Sequence, residues 1–100
     1  MTNSIETKFN LAGVTTIAAR YGCDVRELER DKGESEIWEI TLPFEDSDLG
    51  QVDMPYVDSV WTCDPYFHGD ASFTPDQMRS VAASLVIAAT MVTELNHLEA

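Results

Sequence analysis

Apolar and polar positions along this chain follow two different periods, and the change of period divides it into elements. Between Asn10 and Tyr21, Leu11, Val14, Ile17, Ala18 and Tyr21 fall on one face at helical spacing. Asn10 supplies a capping side chain and Gly22 a stop, so a first helix is predicted to run from Asn10 to Tyr21. From Glu36 to Phe44 the period drops to two. Trp38, Ile40, Leu42 and Phe44 alternate with Glu39 and Thr41, which predicts a strand with one buried face. Pro43 marks that strand as an edge or its end. Glu45 to Gln51, rich in Asp, Ser and Gly, reads as a loop. Tyr56 to Cys63 reads as a second strand bounded by Pro55 and Pro65, and Asp64 to Phe73 as another loop. The stretch 23–31 supports two readings. Asp24 and Glu27 could cap a short helix using Val25 and Leu28, or 24–30 could be a strand turning at Lys32-Gly33.

The last element carries the most complete set of signals. Thr74 is placed as an N-cap, Pro75 as the first helical residue and Gln77 as the third, which together make a capping box. Phe73 and Met78 flank this start at the spacing of a hydrophobic staple. The helix is predicted to continue to about Leu95. Met78, Val81, Leu85, Val92 and Leu95 form its main stripe, and Val86, Ile87 and Met91 widen it. A helix apolar on nearly every side needs cover, either from the sheet or from a second copy, so a homodimer through this helix is one expected arrangement. The fold class that results is α+β: an N-terminal helix, a two- to three-stranded antiparallel sheet and a long C-terminal helix packed on it, in one domain spanning residues 1–100. The expected core is Trp38, Ile40, Leu42, Phe44, Val60, Trp61, Val81, Leu85 and Val92.

Composition changes this picture through charge. The chain has 100 residues, 44% of them apolar, and a formal net charge of −12. The charge is unevenly placed. Residues 1–32 balance five acids against five bases. Residues 33–78 hold eleven acids and no Lys or Arg, and residues 79–100 carry a net −1. The central segment also holds seven of the nine aromatics, so its carboxylates are interleaved with strand-forming residues. A solvated acidic tail has no such residues, and folding should fix these carboxylates in space. A protein of this charge is expected to be repelled by nucleic acid and by anionic membranes. Met1 to Phe9 is polar and Val81 to Val92 is shorter than a membrane span, which together suggest a cytoplasmic protein.

Candidate chemistry is sparse. Cys23 and Cys63 read as two thiols rather than a disulfide framework. Cys23, Cys63, His68 and His97 lack the CxxC or HxxxH spacing of a zinc site, and no metal or cofactor is expected. Asp46-x-Asp48-x-Gly50 matches the start of a calcium loop, but Gly50 and Val57 stand where oxygen ligands belong. A Cys63–His68–Asp70 group lacks any sign of an oxyanion hole, and the expectation is that the chain is not an enzyme.

Two resemblances bear on function. Thr16 to Arg30, reading TIAARYGCDVRELER, resembles part of a helix-turn-helix: Ile17, Ala18, Tyr21, Gly22, Cys23 and Leu28 match its apolar, small and turn positions, and Asp31 departs from it. That resemblance implies a small transcriptional regulator using Arg20, Arg26, Arg30 and Lys32 on DNA. In size, charge and lack of a catalytic motif, the whole chain resembles small phage-encoded inhibitors, including DNA-mimicking anti-restriction and anti-CRISPR proteins. This implies an interaction protein whose carboxylates dock on a basic partner protein, a nucleic-acid-binding one being the natural target. The contact residues expected on that reading are Glu39, Glu45, Asp46, Asp48, Asp53 and Asp58. The alternative for the acidity is solubility alone.

Overall fold

The computed structural model of the chain describes residues 9–28, 37–69 and 72–98. The element order is α1 (Leu11–Arg20), β1 (Val25–Leu28), β2 (Ile37–Pro43), a 3₁₀ turn (Ser47–Leu49), β3 (Gly50–Val57), β4 (Val60–Trp61), β5 (Asp64–Phe67) and α2 (Pro75–Leu98). The strands form one antiparallel sheet in the order β1-β2-β3, with β4 and β5 both pairing with β3. Both helices lie on one side of this sheet, which makes an α+β fold of two layers.

Both helices start where their capping residues direct, and α1 also stops there. The Asn10 Oδ1 accepts from the Gly13 N–H at 2.9 Å. At the other end of α1, Gly22 has φ +74°, and the N–H groups of Gly22 and Cys23 reach the carbonyls of Ala19 and Ala18, each at 3.0 Å. That pair of bonds satisfies carbonyls the helix leaves free, and it needs the left-handed conformation that glycine adopts without strain. The capping box of α2 is reciprocal: Gln77 N–H donates to Thr74 Oγ1 at 3.1 Å and Thr74 N–H to Gln77 Oε1 at 2.9 Å. The helix runs to Leu98, one turn beyond the expected Leu95.

The open choice at 23–31 resolves to a strand over Val25–Leu28, paired with β2 through Val25↔Ile40 and Leu28↔Ile37. Lys32-Gly33 lies outside the described residues. The larger correction concerns 50–67. Here the expected loop, strand and loop are one long hairpin. Its pairs Val57↔Val60, Tyr56↔Trp61, Asp53↔Asp64 and Gly50↔Phe67 keep a single one-for-one register. The turn is Asp58-Ser59, both at positive φ (55° and 67°), as a two-residue turn with the right-handed twist of the strands requires. Pro55 and Pro65 read as strand boundaries in the sequence, but both sit inside this hairpin. The Pro55 carbonyl still accepts from Thr62 N–H at 3.1 Å. Only the reciprocal bond is lost, because proline has no N–H, and the outer strand is interrupted there into β4 and β5. In an antiparallel pair, successive residues turn their backbone groups to opposite sides. Pro65 therefore directs its missing donor to the free edge of the sheet, where proline is tolerated.

The core lies between the layers. Ile40, Phe44, Val52, Met54 and Trp61 of the sheet side meet Val14, Ile17 and Ala18 of α1 and Val81, Ala88, Met91 and Leu95 of α2. Trp38, Leu42, Leu85 and Val92 are half-buried around it. Val60, expected in the core, is exposed. It precedes Trp61 on a strand, and neighbouring strand residues face opposite sides, so only one of the two can enter. On α2 the buried stripe is Val81, Ser84, Ala88, Met91 and Leu95, while Met78, Val86 and Ile87 are exposed. The sheet therefore covers one side of the helix rather than wrapping it. By length and mean hydropathy (1.4) α2 could cross a membrane, but here it is the central helix of a globular fold.

An aromatic cluster closes one end of the core. Phe9 stacks on Trp38 at 4.5 Å and packs at 5.0 Å against Tyr56, which in turn lies 5.0 Å from Trp61. The edge beside Trp61 is covered by α2. Asn96 Oδ1 accepts from the Trp61 N–H at 2.9 Å, and Asn96 Nδ2 donates to the Trp61 carbonyl at 3.0 Å. One amide side chain thus takes the place of a neighbouring strand.

Candidate acidic interface

The sheet turns its second face to solvent, and the strand register decides which side chains stand on it. Arg26, Glu39 and Pro55 form one cross-strand row, and Thr41, Asp53 and Asp64 form the next. Glu39 is held by Arg26, Nη2 to Oε1 at 2.6 Å, with the Glu39 side chain largely covered. The Arg26 guanidinium is pushed further above its already high range by the Glu39 hydrogen bond and charge, with Asp53 adding to them. Asp53 accepts from Thr41 Oγ1 at 3.1 Å and Gln51 Nε2 at 2.8 Å. Directly across the hairpin stands Asp64, exposed and of the same charge. Like charges in opposed strand positions destabilise a sheet, so this pair is a cost the fold carries.

The second group lies where β2 turns into β3. Asp46 Oδ1 accepts the Asp48 N–H at 3.2 Å and so caps the 3₁₀ turn. Glu45 accepts from Ser80 Oγ of α2 at 2.9 Å. These residues border a groove of about 470 Å³ lined by Glu45, Asp46, Leu49, Asp76, Gln77 and Ser80. Asp76 is tied to Arg79 at 2.8 Å. Asp58 stands apart, exposed at the hairpin tip.

The six expected contact residues are therefore not one cluster. Glu39 and Asp53 lie on the open sheet face, Glu45, Asp46 and Asp48 at one end of β3, and Asp58 at the other. Asp53 lies within β3, with Asp48 in the 3₁₀ turn before it and Asp58 in the turn after it, and the eight residues of β3 span roughly 27 Å. The carboxylates are spread over β2, the turn before β3 and the hairpin. Asp64 was missed because its segment reads as a loop. Recognising Asp58-Ser59 as a turn would have placed Val60, Thr62, Asp64 and Tyr66 on the outward side.

The arginines among the described residues are all engaged. The three arginines among the described residues lie against carboxylates: Arg20 on Glu94 at 3.5 Å, Arg26 on Glu39 and Arg79 on Asp76. This bears on the helix-turn-helix resemblance. Its second helix would read the DNA groove, but Val25–Leu28 is a strand, so the recognition element is absent from that segment. Arg20 and Arg26 are committed to internal partners, and Arg30, Asp31 and Lys32 lie outside the described residues.

The other sequence candidates are dispersed. Cys23 follows α1 beside β1, whereas Cys63 lies in the outer strand of the hairpin beyond β3, so the thiols flank opposite edges of the sheet. Burial pushes both thiols up from their ordinary value, with Asp24 adding to the effect at Cys23. Cys63 and His68 fall at odd and even positions of one strand, facing opposite sides and about 17 Å apart. The His68 ring rests against Tyr66 at 5.2 Å, and Asp70 lies outside the described residues. Among the described residues, no three His, Cys, Asp or Glu side chains are placed to hold a metal ion. Comparison with protein-family models, with curated proteins and with solved structures finds no match to this chain.

Proposed function

We propose that this protein is a non-enzymatic interaction protein that docks its hairpin carboxylates on a basic surface of another protein. The natural target is a nucleic-acid-binding protein, with carboxylates occupying positions that phosphates otherwise take, as a phage-type inhibitor of such a protein would. The observation that carries this reading is the imbalance of pairing. Every arginine among the described residues is neutralised internally, whereas Asp46, Asp48, Asp58 and Asp64 are exposed with no described Lys or Arg against them. Glu39, Glu45 and Asp53 are held in place by hydrogen bonds. The setting is cytoplasmic, where Cys23 and Cys63 stay reduced.

The test is retention of proteins from a lysate of the source cells on the immobilised chain. On this reading the retained proteins are basic, release steeply with salt and are displaced by duplex DNA. Replacing Asp46, Asp48, Asp58 and Asp64 together by Asn, with circular dichroism unchanged, abolishes that retention. Equal retention by the substituted protein rules the reading out and leaves the acidity to solubility.

A further inference from the structure

The helix layer presents the opposite character to the sheet face. Residues 10–19 and 80–93 contain no Asp, Glu, Lys, Arg or His. On α1 the exposed residues are Leu11, Ala12, Thr15, Thr16 and Ala19, ahead of Arg20 at its end. On α2 the side turned away from the sheet is Ala82, Ala83, Val86, Thr90 and Thr93, with Ile87 on the flank toward α1. Val86 is 66% exposed and Ile87 40%. In a chain of charge −12, an uncharged surface running across two helices is the side on which two copies meet without mutual repulsion.

We propose that this helix face is the interface of a homodimer in which two α2 helices pack antiparallel about Val86. The charges at the helix ends select the direction. Antiparallel pairing sets Ala82 against Thr90 of the second copy and brings Arg79 to within a turn of the other Glu94, and Asp76 to within a turn of the other His97. Parallel pairing sets Asp76 on Asp76 and Glu94 on Glu94. The area reaches the lower bound for a specific interface. Helix α2 with 24 residues is about 36 Å long and α1 with 10 about 15 Å, each roughly 10 Å wide. That footprint is at most roughly 500 Å² per copy and about 1,000 Å² for the pair, the threshold for a specific interface and the size of a weak, reversible dimer. The dimer leaves both acidic sheet faces outward and does not depend on the partner-docking reading.

Sedimentation equilibrium at tens of micromolar tests it. The expected mass is twice that of the chain, and association tightens as salt screens the two like-charged copies. Val86→Glu and, separately, Thr90→Arg raise the dissociation constant at least about 100-fold by placing an unpaired charge in the interface. Val60→Glu, on the other layer, and the four Asn substitutions of the acidic positions leave the dimer intact, so the two readings fail separately. A monomer at every concentration overturns the proposal, as does a dimer that survives both helix substitutions with the fold unchanged. Flotation of a monomeric wild-type protein with phosphatidylcholine vesicles overturns it in favour of a lipid surface.

Discussion

At the scale of single residues, the side chains that matter most are those satisfying backbone or tolerating unusual backbone. Asn96 makes both hydrogen bonds that Trp61 would otherwise find in a neighbouring strand. Asn96→Leu leaves two buried backbone groups unpaired and is expected to cost about 1–3 kcal/mol in urea unfolding, with Asn96→Asp, which keeps only the acceptor, in between. The glycines separate by what surrounds them. At Gly50, φ is +137° and an added Cβ would stand 2.0 Å from the Tyr66 carbonyl oxygen, in backbone that cannot give way. At Gly22, φ is +74° but nothing lies within 4 Å. Gly22→Ala is expected to cost about 1 kcal/mol and Gly50→Ala clearly more, by the same unfolding measurement. Tyr21 and Cys23 contribute to stability at alkaline pH. Burial, then the hydrogen bond and charge of Glu94, raise the Tyr21 phenol above 10.0, and burial, then Asp24, raise the Cys23 thiol above 9.0. Both are held in the protonated form, so their contribution to stability is complete below the unfolded values and is lost as pH rises from about 9 through the raised folded values. The urea midpoint should fall as pH rises above about 9 and keep falling past 10, and the fall should shrink in the Tyr21→Phe, Cys23→Ala protein.

At the scale of elements, the helices were legible because their signals are local. Asn10, Gly22, Thr74, Pro75 and Gln77 act within one turn of where they stand, and each is found in the role its type implies. The hairpin 50–67 was not legible for the opposite reason. A proline ends a strand only if its missing N–H points at a partner it cannot do without, and that depends on register. Pro55 loses one bond of a long ladder, and Pro65 faces the free edge. The turn was also disguised, since Asp-Ser is a weak form of the Asn-Gly signal. Ser59 at φ 67° occupies a glycine's place. Replacing Asp58-Ser59 by Asn-Gly is therefore expected to stabilise the protein by about 0.5–1 kcal/mol, read as a higher thermal midpoint with the fold unchanged.

At the scale of the whole molecule, the carboxylates concentrate on the sheet and its turns, while the middle of the helix layer carries no charge. A net charge of −12 on a chain of 100 residues pushes against compaction, because unfolding separates the carboxylates. The Asp53–Asp64 pair is the local form of the same repulsion. Raising sodium chloride from about 20 to about 200 mM shortens the screening length several-fold and is expected to raise the urea midpoint. The Asp64→Asn substitution should reduce that salt response. The proposed docking on a basic partner would have the opposite salt dependence.

The amino-acid order by itself determined the α+β class, both helix starts, the strand at β2 and the concentration of charge in the middle of the chain. Each of these follows from period, caps and composition, which act over a few neighbouring residues. Only the tertiary structure decided which carboxylates stand together. The acid set read from sequence became three separate groups on the sheet and its turns, Asp64 joined them from across the strands, and all three described arginines proved to be paired. These outcomes turn on register and on contacts between distant residues, such as Arg26 with Glu39 and Arg20 with Glu94, where no local pattern records the partner. The helix α2 shows the boundary between the two. Its apolar residues predicted cover on nearly all sides, but the sheet reaches only one, because a single layer of strands cannot surround a helix longer than itself.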